Sequence, residues 1–162
     1  MFEVERDQGV ADGVSVDAPT EEGPALRDAI ATAARIEADE RDALETRERL
    51  RTEPLDSVEP DDVVRGHLNR GELVHDLRLS AILRVPGNRA LGYGGTLYLT
   101  SRRLVHIGQV SVNVQLGDIS EIATAEERLL VTLNNADGLA FDIDRPRLFR
   151  TEIAAALREL RR

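Results

Sequence analysis

The sequence contains no cysteine, no tryptophan and no lysine, and aromatic residues make up only 3% of it. Without cysteine there is no disulfide scaffold, no thiolate zinc site and no thiol nucleophile. Without lysine there is no Schiff-base amine and no P-loop lysine, and all 21 basic side chains are arginine. No apolar run approaches the ~18 residues of a membrane-spanning helix. The residues after Met1 are acidic rather than basic, so neither a signal peptide nor a transmembrane segment is expected. Nucleic acid is disfavoured as a partner: 30 acidic residues outnumber the arginines, the net charge is −9, and there are few aromatics to stack on bases.

The charge that is present is unevenly spread. Residues 1–62 hold 19 acids and 7 arginines, a net of −12, whereas residues 63–162 hold 11 acids and 14 arginines, a net of +3. An acidic first third ahead of a mildly basic remainder points to an extension followed by one domain, which suits a chain of 162 residues. In residues 1–23, Val10, Val14 and Val16 are scattered among Asp12, Gly13, Asp17, Pro19, Glu21 and Glu22 with no period. That composition reads as a disordered acidic tail.

Pro24 opens a stretch without another proline or glycine until Pro54, and the spacing predicts an amphipathic helix over 24–52. Leu26, Ala29, Ile30, Ala33, Ile36, Ala43, Leu44 and Leu50 lie loosely on one face, interrupted by Glu37 and Glu40. Glu37/Arg41 and Glu45/Arg49 stand four apart in the favoured acid-first order. Such a thin apolar stripe needs a surface to pack on. Leu26, Ile30, Ala33, Leu44 and Leu50 are therefore the residues expected to meet a protein partner or a second copy of the chain. Residues 53–67, with Pro54, Pro60 and Gly66, read as a hinge containing a short helical turn at 61–64.

In residues 68–162 the period becomes two. Leu73, Leu77, Leu79, Ala81 and Leu83 alternate with Val74, Asp76, Arg78, Ser80 and Arg84, which predicts a half-buried strand with the leucines inward. A loop rich in turn residues covers 85–95. Residues 95–108 read as two strands reversing at Thr100–Arg102, and residues 110–116 as a strand alternating Val110, Val112, Val114 and Leu116 with polar residues. Three further strands follow at 119–125, 129–133 and 139–143, the last two joined by the turn Asn134–Gly138. A closing helix begins near Pro146, with Asp144 as its expected cap, and repeats Phe149, Ile153, Ala156, Leu157 and Leu160 on one face. The resulting fold class is α+β: a seven-stranded bent antiparallel sheet, a partly open barrel capped by a C-terminal helix and preceded by a long N-terminal helix.

The stretch from about 68 to 162 resembles the bacterial GRAM and pleckstrin-homology-like domains. Gly95, Leu97, Leu99, Thr100, Arg103 and Leu104 match the G-x-L-x-L-T-x-x-R-L strand pair of those domains, and Leu116, Asp118 and Ile119 match their L-x-D-I corner. The resemblance implies a non-enzymatic module that binds a protein partner or a phospholipid head group. In lipid-binding relatives, basic residues of the first two strands and their loop hold phosphates; here Arg78, Arg84 and Arg89 occupy that region. The expectation is a cytoplasmic bacterial adaptor that contacts a protein partner or itself. Its alternative is peripheral binding of anionic lipid at the inner membrane face.

Other chemistry finds less support. His67, His75 and His106 lack metal-ligand spacing, so no metal and no cofactor are expected. No serine sits in a G-x-S-x-G elbow, and the Gly92–Gly95 cluster precedes a strand rather than the helix that follows a phosphate cradle. An enzyme of unrecognised type is the least supported alternative, with no catalytic residues assigned.

Overall fold

The structure, a computed structural model, describes residues 22–85 and 92–162. Arg89 and the expected tail lie outside the described residues, except that Glu22 and Gly23, placed in the tail, begin the first helix. By its contacts the chain divides into two units, Met1–Arg35 and Ile36–Arg162. What is described of the first is a run of helix, residues 22–35, that belongs to helix α1 (Glu22–Arg49). The second holds the rest of α1, a short helix α2 (Asp62–Arg65), seven strands and a closing helix α3 (Pro146–Leu160).

The strands are β1 (Val74–Arg84), β2 (Tyr93–Thr100), β3 (Arg103–Gly108), β4 (Val112–Gln115), β5 (Ile119–Ala125), β6 (Arg128–Leu133) and β7 (Gly138–Ile143). They form one antiparallel sheet in the order β4-β3-β2-β1-β7-β6-β5. The fold class is thus α+β with an open seven-stranded sheet, as the periodicity predicts. The two outermost strands are consecutive in sequence, separated only by the 3-10 turn Leu116–Asp118. Laid flat, they would stand about 29 Å apart at ~4.8 Å per strand. The chain from Gln115 to Ile119 reaches about 14 Å at most. The sheet therefore rolls up, although no ladder joins β4 to β5 among the described residues.

The rolled inner face is the core. Ile82, Leu97, Leu99, Leu104, Val114, Leu129, Val131, Leu139 and Phe141 meet there with Phe149 and Ile153 of α3. Fully burying side chains such as Phe149 and Ile153 stabilises by about 2–3 kcal/mol each. Leu50 and Leu55 join the same cluster, so the chain after α1 is part of the core rather than a free hinge. Val64 of α2 is fully buried against Val74 and Tyr98 on the outer face. There the Tyr98 hydroxyl donates to Asp61 Oδ2 at 2.7 Å. Glu72 and Arg103 seal the adjacent end. The Glu72 carboxylate accepts from Arg103 Nε at 2.8 Å, from Thr100 Oγ1 at 2.6 Å and from the Asn69 amide at 2.9 Å. Burial opposes the Glu72 charge, but those donors outweigh it and hold its pKa below the ordinary value.

One expectation is inverted. In β1 Leu79 is 81% exposed and Leu77 is exposed too, as is Leu73 just before the strand, while Arg78 and Ile82 are buried. The register slips between Val74 and Asp76, an irregularity that resets which face each later residue takes. His75, at that slip, is buried with Nδ1 2.7 Å from the Asp56 carbonyl.

Gly95 is required by close approach rather than by a turn. A Cβ there would stand 2.5 Å from the Ile107 carbonyl oxygen and 2.6 Å from Cε1 of the buried His106 ring. Gly95→Ala is expected to lower stability by about 1–3 kcal/mol in urea denaturation, and unchanged stability would show that the β2–β3 pair yields easily.

Candidate functional site

The arginines expected to bind phosphate are not brought together. Arg78 lies inside, under α3. Its Nε donates to the Asp144 carbonyl at 3.1 Å, its Nη1 pairs with Asp76, and its guanidinium sits 5.1 Å from the Phe149 ring centroid. Arg84 is exposed at the far end of β1. Arg89 lies outside the described residues.

Arg78 belongs instead to a largely buried polar column with the half-buried Asp76 and Glu152. Nη2 of Arg78 stands 3.7 Å from Glu152 Oε1, and neither atom has a hydrogen-bond partner among the described residues. Burial, and then the facing Asp76 carboxyl, push the Glu152 pKa up to about 9. Burial opposes the Asp76 charge as well, but the Glu152 hydrogen bond and Arg78 hold its pKa below the ordinary value. Glu152 keeps its proton and Asp76 keeps its charge, since two largely buried carboxylates side by side do not both ionise. Ser80 Oγ and His106 Nε2 are also buried without partners, and burial lowers the His106 pKa. Arg78 is buried against the Phe149 ring, while Asp76 and Glu152 remain partly exposed. No group of three His, Asp or Glu side chains suited to a metal ion occurs among the described residues.

The expected partner stripe of α1 divides in two. Leu26, Ile30 and Ala33, in the first unit, are exposed. Leu50 is in the core of the second unit, and Leu44, 60% exposed, borders a groove there.

That groove lies between α1 and α3. Residues 36–49 of α1 and the chain after them run beside α3 in the same direction, and each end of α3 is tied to them. At its start, Arg145 adopts a left-handed backbone and supplies no side-chain cap. Asp144, the expected cap, is instead exposed and paired with Arg145 at 3.4 Å. Asp39, 2% exposed, takes over the capping. Its Oδ2 accepts from the Arg147 amide at 2.8 Å and its Oδ1 from the Leu148 amide at 3.0 Å. A carboxylate at this position satisfies free helix amides and opposes the helix dipole. At the other end, the Leu55 amide donates to Glu159 Oε2 at 2.9 Å.

Between these ties the helices leave a groove of about 570 Å³. Glu40, Ala43, Leu44 and Arg47 line it from α1; Arg147, Arg150, Thr151, Ala154 and Arg158 line it from α3; Thr124 of β5 also borders it. The spacings, three, four and seven residues on each helix, place each set on one helical face. A second hollow of about 200 Å³ continues along the same seam and shares Arg158.

The charges divide by partnership. Arg147 is engaged, 3.5 Å from Asp39 and with Nη1 donating to the Glu126 carbonyl at 2.7 Å. Arg47, Arg150 and Arg158 are exposed and make no hydrogen bond or ion pair among the described residues. Glu40 is the groove's only acid against four arginines, so a locally positive strip sits on a chain of net charge −9. Guanidinium forks favour bidentate contact with carboxylate or phosphate, and Ala43, Leu44 and Ala154 offer apolar area between them. The groove is not among the expectations drawn from the sequence. The available signal was the row Arg147, Arg150, Ala154 and Arg158, opposite the buried Phe149–Ile153 face.

No family model matches the chain, and no curated protein matches it. Among solved structures it is similar to the C-terminal domain of an unknown protein from Leishmania infantum, with a TM-score of 0.45 and 16% identity, covering 54% of this chain and 86% of that one. It is also similar to Inner Membrane Complex Sub-compartment Protein 3 from Toxoplasma gondii, with a TM-score of 0.38 and 12% identity, covering 54% of this chain and 77% of that one. No described helix is long and apolar enough to cross a membrane.

The polar column yields a pH test. Between the ordinary glutamate pKa and about 9, the folded state holds a proton on Glu152 that the unfolded chain has lost. Stability contributed by this group therefore falls as pH rises through that window. Glu152→Gln should remove the decline, gaining on the order of 1 kcal/mol relative to the native protein between about pH 6 and pH 8 in urea titrations. Parallel pH profiles for the two would show that Glu152 is ionised.

Proposed function

We propose that the chain is a non-enzymatic binding protein, an adaptor of the pleckstrin-homology-like or GRAM-like kind, that docks an anionic partner in the groove between α1 and α3. The observation that carries this reading is the trio Arg47, Arg150 and Arg158, exposed without a partner around an apolar floor. Three like charges left facing one hollow do nothing for the stability of the fold. They suit a counter-charge supplied by a ligand.

The positions behind the sequence resemblance support the module. Gly95–Leu104 forms the β2–β3 hairpin, and Leu116–Ile119 forms the corner into β5. The groove lining also suits binding better than chemistry, being made of arginine, threonine and aliphatic side chains. The lipid-binding alternative through the first hairpin loses Arg78 to the interior. The groove, recessed between helices, suits a protein partner better than a membrane surface. Leu26 and Ile30, exposed on the first part of α1, are the apolar residues this reading gives to self-association or a further partner contact. The protein is read as cytoplasmic.

The test is equilibrium binding of polyglutamate by fluorescence anisotropy at low salt. The native protein should bind saturably and lose affinity as salt rises. Arg150→Glu/Arg158→Glu should bind at least tenfold more weakly, with the thermal midpoint little changed because both side chains are exposed. Equal binding by the double variant would place any anion site elsewhere and remove this reading.

A further inference from the structure

The groove and its continuation are longer than a compact anion requires. From the level of Glu40 to that of Thr52, α1 and the chain after it border the seam, a length of about 18 Å at 1.5 Å per helical residue. On the α3 wall, Arg150 and Arg158 are eight residues apart, about 12 Å along the axis. The arginines are thus strung along a track rather than gathered at one point, and its continuation adds Arg51 and Arg162 together with Glu53 and Glu159. A single phosphate or carboxylate, which needs converging donors, would engage one of them at a time.

The track also mixes chemistries. Ala43, Leu44 and Ala154 line it beside Arg47, Arg150 and Arg158, and the exposed Leu44 gives a side chain of the occupant something apolar to cover. An extended peptide turns successive side chains to opposite sides and advances about 3.3 Å per residue, so five or six residues fill the track. Alternate acids would then meet the arginines while the intervening aliphatic side chains rest on the floor.

On the reading that the groove docks an anionic partner, we infer that its occupant is an extended acidic peptide segment of a partner protein, with small aliphatic residues interleaved among its acids. A free anion or a lipid head group satisfies one arginine and leaves the aliphatic floor uncovered. A membrane surface does not enter a hollow between two helices. The acidic peptide matches the charge, the length and the apolar floor together.

The test compares four probes against the full chain by anisotropy or competition. They are a fluorescein-labelled heptapeptide alternating glutamate with valine, the same peptide with glutamine for glutamate, inorganic phosphate, and phosphatidylglycerol vesicles. The glutamate–valine peptide should bind saturably. The glutamine version should bind at least tenfold more weakly, and phosphate should compete only at much higher concentration. Arg47→Gln and Arg150→Gln should each weaken the peptide severalfold. Ala154→Trp, which fills the floor without altering charge, should abolish peptide binding; circular dichroism and the thermal midpoint verify that these surface variants remain folded. Equal binding of the glutamate and glutamine peptides overturns the inference. So does arginine-dependent binding of phosphate or vesicles without binding of the peptide, an outcome that leaves the groove an anion site. If neither the peptide nor polyglutamate binds, the groove reading falls with it.

Discussion

The second unit is organised around a carboxylate that caps a helix far from it in sequence. Asp39 sits in the middle of α1, yet it accepts the first free amides of α3, 108 and 109 residues further on. Hydrogen bonds from neutral donors to a charged acceptor contribute about 1.5–3 kcal/mol each when removal leaves a buried partner unsatisfied. The constraint fixes more than the start of α3. With Asp39 held at Arg147 and Leu148, the following turns of α1 must run along α3, and Ala43, Leu44 and Arg47 face Arg150, Ala154 and Arg158. Leu50 and Leu55 then reach the core, and the Leu55 amide reaches Glu159. The groove is what remains between helices pinned at both ends.

The same residue type performs two distinct jobs. Arg78 and Arg103 are buried, each with a carboxylate at hydrogen-bonding distance, and they hold strands to helix or strands to loop. Losing either acid would strand an internal charge, which costs about 3–5 kcal/mol. Arg47, Arg150 and Arg158 stand in solvent with no acid to answer them. Guanidinium does not deprotonate in the ordinary range, so the four groove arginines keep their charge across it. Glu152, whose pKa is raised, is not among the groove-lining residues.

Much of the fold was legible because local chemistry and global structure agree. The strand alternation at Val112–Gln115 and the turn at Asn134–Gly138 announce themselves, as does the Phe149–Ile153–Ala156 face. The β1 faces were not legible, since Asp76, Arg78 and Ser80 look like a solvent face and the leucines like a core. The slip at Val74/Asp76 and the pairing of Arg78 with Asp76 invert that logic, and neither is visible in a linear pattern. Asp39 was hidden for a similar reason. Among Glu37, Glu40 and Asp42 it reads as one more solvated acid, and only the missing cap at Arg145 gives it a task. The groove belongs to the same class: its rows lie a hundred residues apart, and their meeting depends on a contact that no spacing rule supplies.

Hydrogen exchange at the Arg147 and Leu148 amides, followed by NMR in the native protein and in Asp39→Ala, bears most directly on the clamp that shapes the groove. The account predicts that both amides lose protection in the variant and that residues 40–49 exchange faster with them, while the β2 and β7 amides keep most of theirs. Unchanged protection at Arg147, Leu148 and residues 40–49 would contradict it, because α1 would then be held against α3 without Asp39.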